Sequence, residues 1–209
     1  MKTAAASDTH LDAVRHGRRL EYLTVAWNSA ESAIALLAGA LAASPALIGF
    51  GVDSLIEVTS AGALLWRLRD HADACVRDRV ERQMLRVVAW CFFALAAYLT
   101  VEAGLRLLHR NPPETSPVGI ILAVLSLMAM PWLARQKRQV AAALGSAAMS
   151  ADATQTQICA YLSAIMLAGL AAHLAFGWWW ADPVGALLMV PLIVREGLNA
   201  MKGQACGCH

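Results

Sequence analysis

Two acidic residues sit where a chain this apolar can least tolerate them. Residues 46–66 read ALIGFGVDSLIEVTSAGALLW, long enough as a helix at about 1.5 Å per residue to cross the ~30 Å hydrocarbon core of a bilayer. Asp53 and Glu57 interrupt that run four residues apart, so at about 100° per residue they project from one helix face, one turn above the other. An ionised carboxylate at bilayer depth costs at least ~2.5 kcal/mol. Two that repel each other need a counter-charge, and a divalent cation, or a shared proton in its absence, is the simplest. A protonated pair packed between helices is the alternative that asks for no ligand.

The rest of the chain has the composition to surround such a segment with others like it. With 58% apolar residues, 15% charged residues and a mean hydropathy of +0.52, 209 residues suffice for about six spans. Apolar windows fall at 22–43, 46–66, 85–108, 117–134, 155–176 and 178–194. In lipid each must satisfy its own backbone, so each is expected to be an α-helix, and the fold class is an all-α polytopic membrane protein with six transmembrane helices. The connections sort by charge. Basic residues collect in the amino-terminal segment, in 67–86, in a turn expected at 135–138 (Arg135, Lys137, Arg138) and in the tail; only Arg106 and Arg110 lie toward the other side. The positive-inside rule then places both termini in the cytoplasm, and the expected location is the plasma (cell inner) membrane.

Three regions follow: a cytoplasmic segment 1–21 with no cleavable signal pattern, a transmembrane domain 22–200, and a tail 201–209. Fourteen residues after Arg195 leave no room for a folded carboxy-terminal domain. The net charge of +2 implies no polyanion patch, and no nucleic acid partner is expected. Five cysteines make no disulfide framework, since Cys91 and Cys159 fall in apolar runs and Cys75, Cys206 and Cys208 in segments assigned to the cytoplasm.

Further polar residues lie along helix faces. In the first window Thr24, Asn28 and Glu31 are spaced by four and three, and Ala35, Gly39 and Ala43 form a small-residue ladder suited to close helix packing. Measured from the outer helix ends, Glu31 is ~18 Å and Glu57 ~16 Å deep, so Glu31 is a candidate ligand, a proton carrier, or a packing residue bonded to Asn28. In the fifth window Asp152, Gln155, Cys159 and Ser163 share a stripe that continues through Met166 and Leu170 to His173. Carboxylate, amide and thiol together suit a divalent transition ion. Counted from Phe176, however, Cys159 is ~26 Å deep, some 10 Å below Glu57 if both helices run straight. Ser126, Met128, Met130 and Pro131 in the short fourth window read as adaptable packing with a kink, and Glu102 with Arg106 as an intrahelical ion pair. Trp178, Trp179, Trp180 and Asp182 make up a short outer connection in which the tryptophans read as an interfacial anchor, and Cys206, Cys208 and His209 could capture a soft metal.

GFGVDSLIEVTSA (49–61), SADATQTQICAYLSA (150–164) and WADPVGALL (180–188) resemble the cation diffusion facilitator family of divalent-metal transporters. The resemblance covers most of 22–200 and implies that Asp53 and Glu57 are the second-helix acids of a transport site. Gln155 and Cys159 occupy the fifth-helix positions where the family usually has His and Asp, which lowers the site's charge unless Glu31 or Asp152 joins. A transmembrane-only branch of the family and a homodimer are implied.

The expected function is efflux of a divalent cation, Zn²⁺ first, with Co²⁺, Cd²⁺, Fe²⁺, Ni²⁺ or Mn²⁺ as alternatives, by exchange for protons. The metal is cargo; no resident cofactor is expected. Two rivals use the same residues differently: a proton-coupled exporter of small organic cations, and a non-transporting metal sensor or accessory subunit centred on the tail. The sequence holds no nucleophile and base pair and no phosphate loop, so an enzyme is not expected.

Overall fold

The computed structural model describes residues 2–67, 74–110, 114 and 116–202, and these form six α-helices with no strand among the described residues: α1 Lys2–Leu41, α2 Pro45–Arg67, α3 Ala74–His109, α4 Pro117–Leu144, α5 Ala147–Phe176 and α6 Ala181–Lys202. Helix α2 is the centre of the bundle. It packs against α1, α3, α5 and α6, while α4 joins α1 to α5 and α3 lies along α6. The segment that carries Asp53 and Glu57 is accordingly the most enclosed, with 56% of its apolar window buried against 33–39% in the other spans.

Serine and glycine mark the helix ends. Ser116 accepts from the backbone N–H of Gly119 at 3.1 Å and Ser146 from that of Met149 at 3.3 Å, each supplying an oxygen to an otherwise unpaired first-turn donor. Ser44 does the same for Leu47 at 3.1 Å, and Pro45 and Pro117 follow at first helical positions, where a missing N–H costs nothing. Gly145 (φ 59°) and Gly177 (φ 64°) close α4 and α5 in the left-handed region that a side chain disfavours.

Among the described residues five helices, α2 to α6, are long and apolar enough to cross a membrane. Helix α1 falls outside that group because of a polar stripe, Glu21, Thr24, Asn28, Glu31 and Ser32, that is buried against the bundle and never meets lipid. Two of its three small residues work as the sequence implied: Ala35 is fully buried, and Gly39 lies so close to α2 that a Cβ would come within 2.9 Å of the Ile48 backbone nitrogen, whereas Ala43 falls in the turn after α1. The buried apolar core runs from Leu47 and Phe50 on α2 through Phe92 and Leu99 on α3 to Leu162 and Met166 on α5.

Three expectations need correction. The turn expected at 135–138 is helix: α4 continues to Leu144, and Lys137, counted among the loop charges, is fully buried in it. Helix α5 starts at Ala147 rather than near 155, so the two helices turn at Gly145 and Ser146. Asp182, placed in an outer loop, is fully buried in the first turn of α6, where it accepts from Ser44 Oγ at 2.5 Å and ties the start of α2 to the start of α6. Arg106 and Glu102 pair at 2.9 Å as their spacing implied. The tail residues Cys206, Cys208 and His209 lie outside the described residues, as do residues 68–73 of the charged 67–86 segment.

Candidate functional site

Antiparallel packing of α2 on α5 brings the two stripes face to face. Glu57 accepts from Thr156 Oγ1 at 2.7 Å, and Cys159 is buried one turn outward on α5. The depth offset of Cys159 disappears for a structural reason. Gly169 on α5 sits against the backbone of Ala181, at the outer end of α6, which Ser44 joins to the start of α2 through Asp182. Helix α5 therefore stands about two turns beyond the outer end of α2. Ten residues inward from Gly169 is about 15 Å, between the depths of Asp53 and Glu57 counted from Ser44.

Glu31 comes to the same region from α1. One of its oxygens accepts from Ser54 Oγ at 2.9 Å and the other from Trp27 Nε1 at 3.2 Å, with Ser126 of α4 also in reach. Ser126 in turn accepts from Ser163 Oγ at 3.1 Å, so four helices meet around this carboxylate in a hydroxyl-rich layer. The stripe expected on α5 is inward-facing, with Asp152, Cys159, Ser163, Met166 and Leu170 all buried.

Asp152 has a different neighbourhood. Its carboxylate pairs with the ammonium of Lys137, which also meets Glu21 Oε2 at 3.2 Å, and its other oxygen lies 3.5 Å from Ser60 Oγ. Sequence reasoning missed both Glu21 and Lys137. The available signal was Gly145 followed by Ser146, a helix stop and start that moves the turn eight residues beyond Lys137 and puts that lysine inside a helix. Lys137 is about 30 Å along α4 from Pro117, at the cytoplasmic edge of the hydrocarbon.

The candidate ligands are buried but not closed into a cage: among the described residues no group of three or more His, Cys, Asp or Glu side chains converges as ligands. Several polar atoms in the same layer are buried without partners, namely Glu57 Oε2, Gln155 Nε2, Ser32 Oγ and both side-chain polar atoms of Asn28. Such unpaired groups cost about 1–3 kcal/mol each, a cost that an entering ion with its water offsets.

The model of the cation efflux transmembrane domain matches residues 22–203. The chain belongs to the cation efflux family. It is an integral protein of the cell's inner membrane, in agreement with its apolar helices. A curated relative, the cation-efflux pump FieF of Shewanella oneidensis, is 28% identical over 104 residues, which is 50% of this chain and 35% of that pump. The match thus spans about a third of the length of that relative. Family membership agrees with the motifs at 49–61, 150–164 and 180–188, and assigns no individual ligand.

Proposed function

We propose that this protein exports a divalent metal cation, Zn²⁺ foremost, in exchange for protons, through a site built on Asp53, Glu57 and Cys159. The observation that carries the proposal is the burial of these three side chains at one depth in mid-helix, on facing stripes of α2 and α5 that Thr156 joins to Glu57. Two carboxylates and a thiolate are a donor set that Zn²⁺ accepts and that must give up protons to bind it. Metal entry and proton release are thereby coupled without a separate device.

Asp152 acts in this scheme as the counter-ion of Lys137, which leaves Glu31 as the nearest further acid. Glu21, Lys137, Asp152 and Ser60 join α1, α4, α5 and α2 on the cytoplasmic side of the site, so an inward-open state has to part them. Binding of the cation from the cytoplasm favours that state only by its differential affinity for it. Pairing of two chains as a homodimer is part of the proposal.

The test is Zn²⁺ uptake into proteoliposomes under an imposed pH gradient. The wild-type chain is expected to accumulate Zn²⁺ against its gradient, and Asp53→Ala to abolish uptake while retaining its elution profile and helix content. Normal transport by Asp53→Ala refutes the site. Uptake that ignores the pH gradient refutes the exchange with protons.

A further inference from the structure

Asn28 has no role in the site as described, yet among the described residues its side chain is the buried one with the most unpaired polar atoms. It is fully buried on α1, and neither its amide nitrogen nor its carbonyl oxygen has a hydrogen-bond partner. A buried amide with neither end paired is rare in folded proteins and calls for a physical cause.

The register of α1 on α2 supplies one. The two helices run antiparallel, joined by Ala42 to Ser44, and Glu31 bonds Ser54 across the pair at 2.9 Å. Gly51 packs on Ala35 and Leu36, and Gly39 on Ile48, so the register holds over several turns. One step along each helix from Glu31 and Ser54 puts Ser32 at the depth of Asp53. Three steps the other way put Asn28 at the depth of Glu57.

Both positions on α1 carry unpaired polar atoms, and so does Glu57, whose Oε2 has no partner. From the third side, Thr156 bonds Glu57 Oε1, and Gln155 beside it has an unpaired Nε2. The unsatisfied atoms of three helices therefore gather at the level of the two acids, and nowhere does a residue of the bundle complete them.

We infer that the side-chain oxygen of Asn28 is a ligand of the transported cation, which makes the cargo site a three-helix site of α1, α2 and α5. The inference rests on the transport proposed above and adds to it a neutral, hard oxygen beside two carboxylates and a soft sulfur. An amide oxygen is a ligand of ordinary strength for Zn²⁺ and Mn²⁺ and a weak one for Cd²⁺, so Asn28 opposes the soft preference that Cys159 confers. Ser32 is placed to hold a water on the same ion.

The experiment measures Zn²⁺ and Cd²⁺ binding to the purified full chain in lipid nanodiscs by calorimetry, for wild type, Asn28→Leu, Asn28→Asp and Asp53→Asn, with thermal unfolding of each in the presence and absence of metal. Asn28→Leu is expected to weaken Zn²⁺ by about tenfold or more, the lower range for removing a group that supports a metal, and Cd²⁺ by less. Asn28→Asp is expected to tighten Zn²⁺, because it adds a charged oxygen at the same place. Without metal, Asn28→Leu is expected to unfold at or above the wild-type temperature, since it removes an unpaired buried amide.

Unchanged Zn²⁺ affinity in Asn28→Leu together with lost binding in Asp53→Asn overturns the inference and leaves the α2 and α5 site standing; a water held by Asn28 alone gives that result. Unchanged affinity in both overturns the site as well. Should Asn28→Leu fail to fold, Asn28→Asp decides: tighter Zn²⁺ binding supports the ligand, and equal or weaker binding overturns it.

Discussion

Replacing Lys137 by methionine removes the one positive charge between Glu21 and Asp152 while nearly keeping the side chain's length and its apolar stem. The side chains involved are all but sealed, with 0% exposure for Lys137 and Glu21 and 3% for Asp152, so water cannot take over as counter-charge. Breaking a buried ion pair in this way costs about 3–5 kcal/mol, because an uncompensated carboxylate is left in a medium that solvates it poorly. Here two are left, in repulsion through the space the ammonium held. Loss at the upper end of that range is therefore expected, as a lowered midpoint of reversible unfolding in mixed micelles at neutral pH. The triple variant Lys137→Met, Glu21→Gln, Asp152→Asn removes every charge and is expected to recover part of the loss, since an unpaired buried amide costs less than an uncompensated carboxylate. A Lys137→Met protein as stable as wild type refutes the argument. So does a triple variant no more stable than the single one, which would mean that the loss came from packing and not from charge.

Other perturbations test separate parts of the structure. Cys159→Ser is expected to shift transport preference from Zn²⁺ and Cd²⁺ toward harder ions such as Mn²⁺, read as competition among these metals in the proteoliposome assay; an unchanged series shows that the thiol is no ligand. Gly39→Ala adds a Cβ that meets the Ile48 backbone nitrogen at 2.9 Å, where no flexible side chain can yield. It should cost about 1–3 kcal/mol by forcing α1 off α2, and a wild-type unfolding midpoint would contradict that close approach. Ser44→Ala removes both the cap on Leu47 and the donor to buried Asp182, and is expected to cost about 1–3 kcal/mol, with Ser44→Thr restoring much of it. Equal stability of the alanine and threonine variants would show that neither bond matters.

Membrane residence, helical class and the central pair of acids were legible in the order of residues, because each depends on local properties. A run such as 46–66 is too apolar for water, its backbone must bond within itself, and Asp53 and Glu57 share a face whatever surrounds them. The inward stripe on α5 was legible for the same reason, since Asp152, Cys159 and Ser163 repeat with the helix. Lys137 was not, because a lysine in a basic cluster has the same composition whether it ends a helix or lies within one. What decides its place is partners at 116 and 15 residues' separation, Glu21 and Asp152, which only the packing of α1 and α5 on α4 provides. Depth along the membrane was likewise beyond local rules. Counting residues from Phe176 set Cys159 too low, and only the contact of Gly169 with Ala181 and the bond from Ser44 to Asp182 fix how far α5 stands above α2. The sequence alone determined which residues are costly in oil; the relative placement of six helices decided which of them share that cost, because the register between helices is set by side chains distant in the chain.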